Sequence, residues 1–97
     1  MSAVVDPWYI YILHCGDGTY YTGIAKDVTR RLRQHRRGLG AKYTRGRGPL
    51  TLVYVEGAID RGAALNREYV IKRMSRSEKR SLIETCGMGL DGQGLSD

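Results

Sequence analysis

The sequence contains no phenylalanine, one tryptophan, two prolines and two cysteines among its 97 residues. Without phenylalanine, seven tyrosines and the tryptophan must supply much of the large apolar surface. Cys15 and Cys86 lie far apart, with neither a C-x-x-C spacing nor a histidine pairing, so no zinc site is indicated and free thiols in a reducing compartment are expected. No apolar run approaches the length of a membrane span. Met1–Pro7 is short and acidic rather than basic then apolar, so no signal peptide is expected and the location follows as cytoplasmic. A P-loop and a dinucleotide-binding glycine pattern are also missing, which removes the enzyme classes built on them.

What the chain does have is positive charge. Sixteen Lys and Arg against ten Asp and Glu leave a net charge of +6, a balance that biases a small domain toward nucleic acid or another polyanion. The length fits one domain with a modest core, and the apolar share of 41% agrees.

The stretch Tyr9–Gly23, YIYILHCGDGTYYTG, organises the rest. Two β-rich runs, over 8–13 and 19–24, flank Gly16-Asp17-Gly18, a strong turn signal. A two-residue Asp17-Gly18 turn sets Tyr21 opposite His14 and leaves Tyr11 and Tyr21 on opposite faces. A three-residue loop with Gly18 left-handed sets Tyr21 opposite Leu13, on the face that carries Tyr11. We expect the three-residue loop.

Asp27 is the expected N-cap of a helix from Val28 to about Arg37, stopped by Gly38 and Gly40. Residues 38–49 read as a flexible basic loop. A third strand is expected over 50–59. Asp60 then caps a helix running to about Met74, and Ser75 with Glu78 forms a capping box for a third helix that turns Leu82 and Ile83 inward. The leader 1–7 is expected to be loose, and the glycine-rich tail 86–97 to be disordered. The fold class is α+β: a small, mainly antiparallel three-stranded sheet flanked by about three helices, with the folded domain over 8–85.

On the first helix, Val28, Leu32 and Leu39 cluster on one stripe. His35 falls within about 40° of its centre and Arg31 about 80° away, so both are set toward the sheet. Alone, His35 reads as a satisfied core histidine, and Arg31 as an edge residue whose stem covers apolar surface. Glu68 lies on a largely apolar face of the second helix and needs a cation. Lys72 at i+4 is the routine partner; a hydrated Mg2+ is the functional one. In the 38–49 loop, Lys42, Tyr43, Thr44, Arg45 and Arg47 suit phosphate contact and base stacking, or simply a solvated charged loop.

Tyr9-Ile10-Tyr11, then Tyr21-Thr22-Gly23, then Arg30-Arg31-Leu32 with His35, and finally Glu68 resemble in order, spacing and type the signature of the GIY-YIG nucleases. The likeness runs over about residues 8–83 and is nearest to small stand-alone bacterial members that consist of the domain alone. Tyr9 stands where many members have glycine. Ile24 stands where the excision-repair subunit has lysine, which removes one phosphate contact. Gly23 is expected to admit the start of the helix close to the sheet.

The resemblance implies a metal-dependent endonuclease that hydrolyses DNA phosphodiester bonds in one step, with one Mg2+ or Mn2+ on Glu68. In it Arg31 stabilises the phosphate, His35 helps the proton transfer, and Tyr11 or Tyr21 assists the water. These residue types suit the reaction, which needs charge neutralised on the phosphate oxygens and a proton removed from the attacking water. An ordinary phenol pKa near 10 requires nearby positive charge to lower it. Two alternatives from other classes are a catalytically idle nucleic-acid-binding module and an accessory protein of a DNA repair or recombination complex. A homodimer or another protein is a further expected partner, since no second domain selects a target.

Overall fold

The computed structural model describes residues 6–86. β1 (Trp8–His14) is the centre of a three-stranded antiparallel sheet, flanked by β2 (Tyr20–Ala25) and β3 (Thr51–Ala58) in the order β2-β1-β3. Three helices complete the domain: α1 (Val28–Arg36), α2 (Arg61–Lys72) and α3 (Arg76–Cys86). This is the α+β architecture that the pattern of β-rich runs and caps implies. Residues 1–5 of the leader and 87–97 of the tail lie outside the described part, so the expectations about those segments stay there.

The hairpin takes the three-residue loop. Leu13 pairs with Tyr21 and His14 with Tyr20. Cys15 N–H donates to Thr19 O at 2.8 Å, and Gly18 adopts φ +86°, a left-handed conformation that costs glycine little. Tyr11 and Tyr21 therefore share a face. Tyr20, of the opposite parity, joins the apolar core.

Each helix starts where its cap residue lies. Asp27 accepts from Arg30 N–H at 3.0 Å and Asp60 from Ala63 N–H at 2.8 Å. Ser75 and Glu78 form the reciprocal box, with Glu78 N–H on Ser75 Oγ at 3.1 Å and Ser75 N–H on Glu78 Oε1 at 2.8 Å. One expectation fails here. Leu39 is not part of the buried stripe but 68% exposed, because α1 ends at Arg36 and Gly38, at φ +75°, turns the chain away.

Alternation along β1 divides the interior into two clusters. Ile10 and Ile12 pack with Tyr54 of β3 and with Ala64 and Ile71 of α2, and Leu82 and Ile83 of α3 close over them. Tyr11, Leu13 and Cys15 point the other way, toward Ala25, Leu50, and Val28 and Leu32 of α1. Cys15 is a buried free thiol.

The candidate active site

The second cluster carries the polar groups. His35 of α1 and Tyr11 of β1 are each about 1% exposed, and Tyr11 Oη lies 2.8 Å from His35 Nε2. On the other edge of the ring, Nδ1 is 2.9 Å from Thr44 Oγ1, which in turn lies 2.9 Å from Ala41 O. Ala41 N–H donates to Nδ1 at 3.3 Å. The neutral ring carries one hydrogen, so the direction of the Thr44 and Tyr11 bonds follows the tautomer. A hydrogen on Nε2 goes to Tyr11 Oη, and one on Nδ1 goes to Thr44 and leaves Nε2 to accept from Tyr11. Gly40 lies over the ring: a Cβ there would come within 2.3 Å of Nδ1 and 2.7 Å of Cγ, so no larger residue fits without moving the imidazole.

Tyr21 completes an aromatic triangle, its ring centroid 6.3 Å from Tyr11 and 5.2 Å from His35. Gly23 is what lets Tyr11 reach across β2. A Cβ at Gly23 would sit 2.6 Å from Tyr11 Oη and 3.1 Å from the Tyr21 ring. The expectation that Gly23 makes room for the helix start is thus replaced by a different reason. The space it leaves is taken by the Tyr11 phenol.

Burial decides the proton affinities. Tyr11 is pushed up to about 12, chiefly by desolvation and then by the neighbouring Tyr21; the Arg31 guanidinium beside it pulls the other way, and the Glu68 charge adds to the rise. The expected lowering of this phenol does not occur, because loss of water outweighs the cation. His35 is pushed down to about 4 by burial and then by the positive charge of Arg31. The pair is a neutral phenol hydrogen-bonded to a neutral imidazole near pH 7.

Arg31 is half-buried and donates to Gln34 Oε1 at 3.1 Å. Glu68 of α2 is only 18% exposed at its side chain and meets Lys72 Nζ at 3.2 Å, so the routine i+4 partner is in place. Among the described residues no group of three or more His, Cys, Asp or Glu converges on one point. A cation here would therefore rest on the single Glu68 carboxylate. That donor set suits Mg2+, which commonly takes one or two carboxylates and keeps several waters.

The 38–49 loop is folded rather than loose. Lys42–Thr44 makes one 3-10 turn, and Tyr43, 40% exposed, stacks on Tyr21 at 5.8 Å. Arg47 lies over the outer face of Tyr43 at 4.2 Å and is ion-paired with Asp17 of the hairpin loop. Gly16 N–H also donates to Arg47 O at 2.5 Å. Thr44, expected as a phosphate contact, is buried and spends its hydroxyl on His35 and Ala41. Lys42, Tyr43 and Arg45 stay exposed. No periodicity marks Thr44, Gly40 or Asp17, since loop contacts of this kind carry no repeating pattern.

Residues 7–81 match the model of the GIY-YIG catalytic domain. The chain belongs to the GIY-YIG family. Within the GIY-YIG nuclease superfamily its relatives are small proteins. The UPF0213 protein of Halobacterium salinarum is 50% identical over 74 residues, 76% of this chain and 96% of that one. The UPF0213 protein of Sodalis glossinidius is 46% identical over 88 residues, 91% of this chain and 82% of that one. The solution NMR structure of the UPF0213 protein BH0048 from Bacillus halodurans is 44% identical, with a TM-score of 0.57 and coverage of 87% and 89%. Tyr11, Tyr21, Arg31, His35 and Glu68 all fall inside the matched GIY-YIG segment. No helix among the described residues is long and apolar enough to cross a membrane.

Proposed function

We propose that this protein is a metal-dependent endonuclease that hydrolyses DNA phosphodiester bonds in one step. The observation that carries the reading is the buried Tyr11–His35 hydrogen bond, with Arg31 close enough to bias both groups electrostatically. A buried phenol with a raised pKa is a poor standing base. Paired with an imidazole that accepts its proton, it becomes a relay. With Nε2 unprotonated, water loses a proton to Tyr11 Oη as Tyr11 passes its own to His35, whose low proton affinity in the free site rises beside a negatively charged phosphate. The water oxygen forms the new bond to phosphorus, and the bond to the 3′ oxygen breaks, that oxygen taking a proton from solvent.

Arg31 presents a planar, permanently charged fork for the phosphate oxygens. Tyr21 walls the site beside Tyr11 and is held by Tyr43. Glu68 would hold one Mg2+ or Mn2+, which when bound neutralises charge developing on the phosphate. Exposed Lys42, Tyr43 and Arg45 extend a basic, aromatic surface beside the site for the DNA strand.

The test is incubation of the purified protein with single-stranded, duplex and branched DNA, with Mg2+, with Mn2+ and with EDTA. Cleavage of at least one DNA that disappears in EDTA, and in Glu68→Ala with an unchanged far-UV spectrum, is expected. Wild-type-like cutting by Glu68→Ala removes the metal assignment. Binding without cutting in every arm favours a nucleic-acid-binding module.

A further inference from the structure

Behind His35, on the side away from Tyr11, lies a cavity of about 590 Å3 between the C-terminal end of α1 and residues 44–51. Its size falls in the range of small-molecule sites, about 300–1,000 Å3. Arg36, Arg37 and Arg45 line it, and no acidic residue does. Arg36 Nε and Nη2 both donate to Leu50 O, at 3.2 and 2.9 Å, and Arg45 Nε donates to Gly38 O at 3.1 Å. These bonds fix the two stems while leaving Arg36 Nη1 and both Arg45 terminal nitrogens for something else. Among the described residues none of the three arginines is in an ion pair.

A cation near a helix C-terminus is favourable by itself, at about 0.3–1 kcal/mol. That accounts for Arg36 and Arg37 at the end of α1, not for Arg45, which the following loop brings to the same hollow. The remaining wall is uncharged. Pro49 and Leu50 give it an apolar side, and a Cβ at Gly46 or Gly48 would meet nothing within 4 Å, so the backbone there faces open space. Guanidinium forks match phosphate oxygens in a bidentate way. Their planes, with an apolar wall, also suit the face of a nucleobase.

We propose that this cavity binds a nucleoside 5′-monophosphate unit, separate from the position of the phosphate being cut. The unit is either a free nucleotide or the 5′-phosphorylated end of a strand. His35 and Thr44 line the same cavity, so its occupant rests against the bond that holds the imidazole of the active site. The ligand class rests on the cavity alone and stands whether or not the protein cuts DNA.

The experiment is a titration of the 15N-labelled full chain with adenosine 5′-monophosphate, adenosine and inorganic phosphate, followed by a short oligonucleotide with and without a 5′-phosphate. Adenosine 5′-monophosphate should shift the amides of Gly38, Gly46, Gly48 and Thr51 saturably. Inorganic phosphate should bind about tenfold more weakly, and adenosine should not saturate. Arg37→Gln, which removes a side chain with no hydrogen bond or ion pair among the described residues, should weaken the nucleotide several-fold, and Arg37→Gln with Arg45→Gln by about tenfold or more. Arg30→Gln, an equal loss of charge elsewhere on α1, should leave it unchanged. Tighter binding of the 5′-phosphorylated oligonucleotide than of its 5′-hydroxyl form assigns the site to strand ends; binding of the mononucleotide alone assigns it to free nucleotide. Equal effects of Arg30→Gln and Arg37→Gln, equal affinity for phosphate and nucleotide, or no saturable shift at these amides overturns the proposal. Persistent Mg2+-dependent cleavage in that case shows that the nuclease reading survives without it.

Discussion

The two faces of the sheet use the same strand for opposite ends. Ile10 and Ile12 of β1 face α2 and α3 in a mainly apolar cluster, whose polar groups are the part-buried Tyr54–Glu56–Arg67 network and, unpartnered among the described residues, Trp8 Nε1 and Thr22 Oγ1. Tyr11 and Leu13, one residue along, face α1 and the 38–49 loop, where a phenol, an imidazole and a threonine hydroxyl are buried together. The first face gains stability from area removed from water. The second keeps polar groups inside only because each satisfies another. On the proposed function, chemistry belongs to the face where burial is costly, and the mainly apolar face anchors the strand that carries it.

The sharpest way to break this comparison is one substitution on each face. Arg31→Ala should lower the cleavage rate by about 10²–10³-fold, the scale of a lost charge-stabilising donor, with the melting temperature nearly unchanged. Ile71→Ala should cost about 2–5 kcal/mol of stability, while the molecules that stay folded keep their activity. Urea melts beside single-turnover cleavage separate the two effects. If Ile71→Ala lost rate in proportion to Arg31→Ala with its fold intact, the division of labour would be wrong.

A pH titration probes the polar face alone. His35 falls from an ordinary 6.5 to about 4 in the folded protein, so between those values the unfolded chain binds a proton that the folded one refuses. The contribution is complete above about pH 6.5 and is lost as pH falls toward 4, at no more than about 1.4 kcal/mol per unit. His35→Gln should flatten that slope in a series of chemical melts. Thr44→Val probes the same group more gently. It removes the hydroxyl that lies 2.9 Å from Nδ1, at about 1–3 kcal/mol, and should shift the tautomer balance of the ring. The 15N shifts of His35 read that change directly.

The apolar face was legible in the sequence because alternation and helical periodicity encode it. The hairpin register, the caps Asp27 and Asp60, and the Ser75–Glu78 box could all be read from local chemistry. So could the common face of Tyr11 and Tyr21, which follows from a left-handed Gly18. The polar face was less legible. Gly23 makes way for Tyr11 rather than for a helix, and Thr44 serves His35 rather than a phosphate. Both depend on contacts between distant segments that no periodicity records. The Tyr54–Glu56–Arg67 network is a further contact of this kind. Tyr54 donates to Glu56 Oε1 at 2.5 Å, and Arg67 Nε lies 2.8 Å from Glu56 Oε2, tying α2 to β3. Alternation along β3 puts Tyr54 and Glu56 on one face, but no spacing brings Arg67 of α2 to them.

The smallest effect comes from the one place where the two faces meet. Glu68 belongs to α2, the helix of the apolar face, yet its charge is felt at Tyr11, and in the present structure Lys72 answers it at 3.2 Å. Lys72 is half-exposed, so the pair is screened and contributes only a few tenths of a kcal/mol, about 0.2–0.5, to the helix. Lys72→Ala should therefore barely move the melting temperature. Its effect should appear instead in the metal dependence: a cation competing with the ammonium for one carboxylate binds more readily once the ammonium is gone. The Mg2+ concentration for half-maximal cleavage should fall in Lys72→Ala, while the rate at saturating Mg2+ stays the same. An unchanged or higher Mg2+ requirement would mean that Glu68 serves Lys72 and not a metal, and the carboxylate would return to the apolar face as a structural charge.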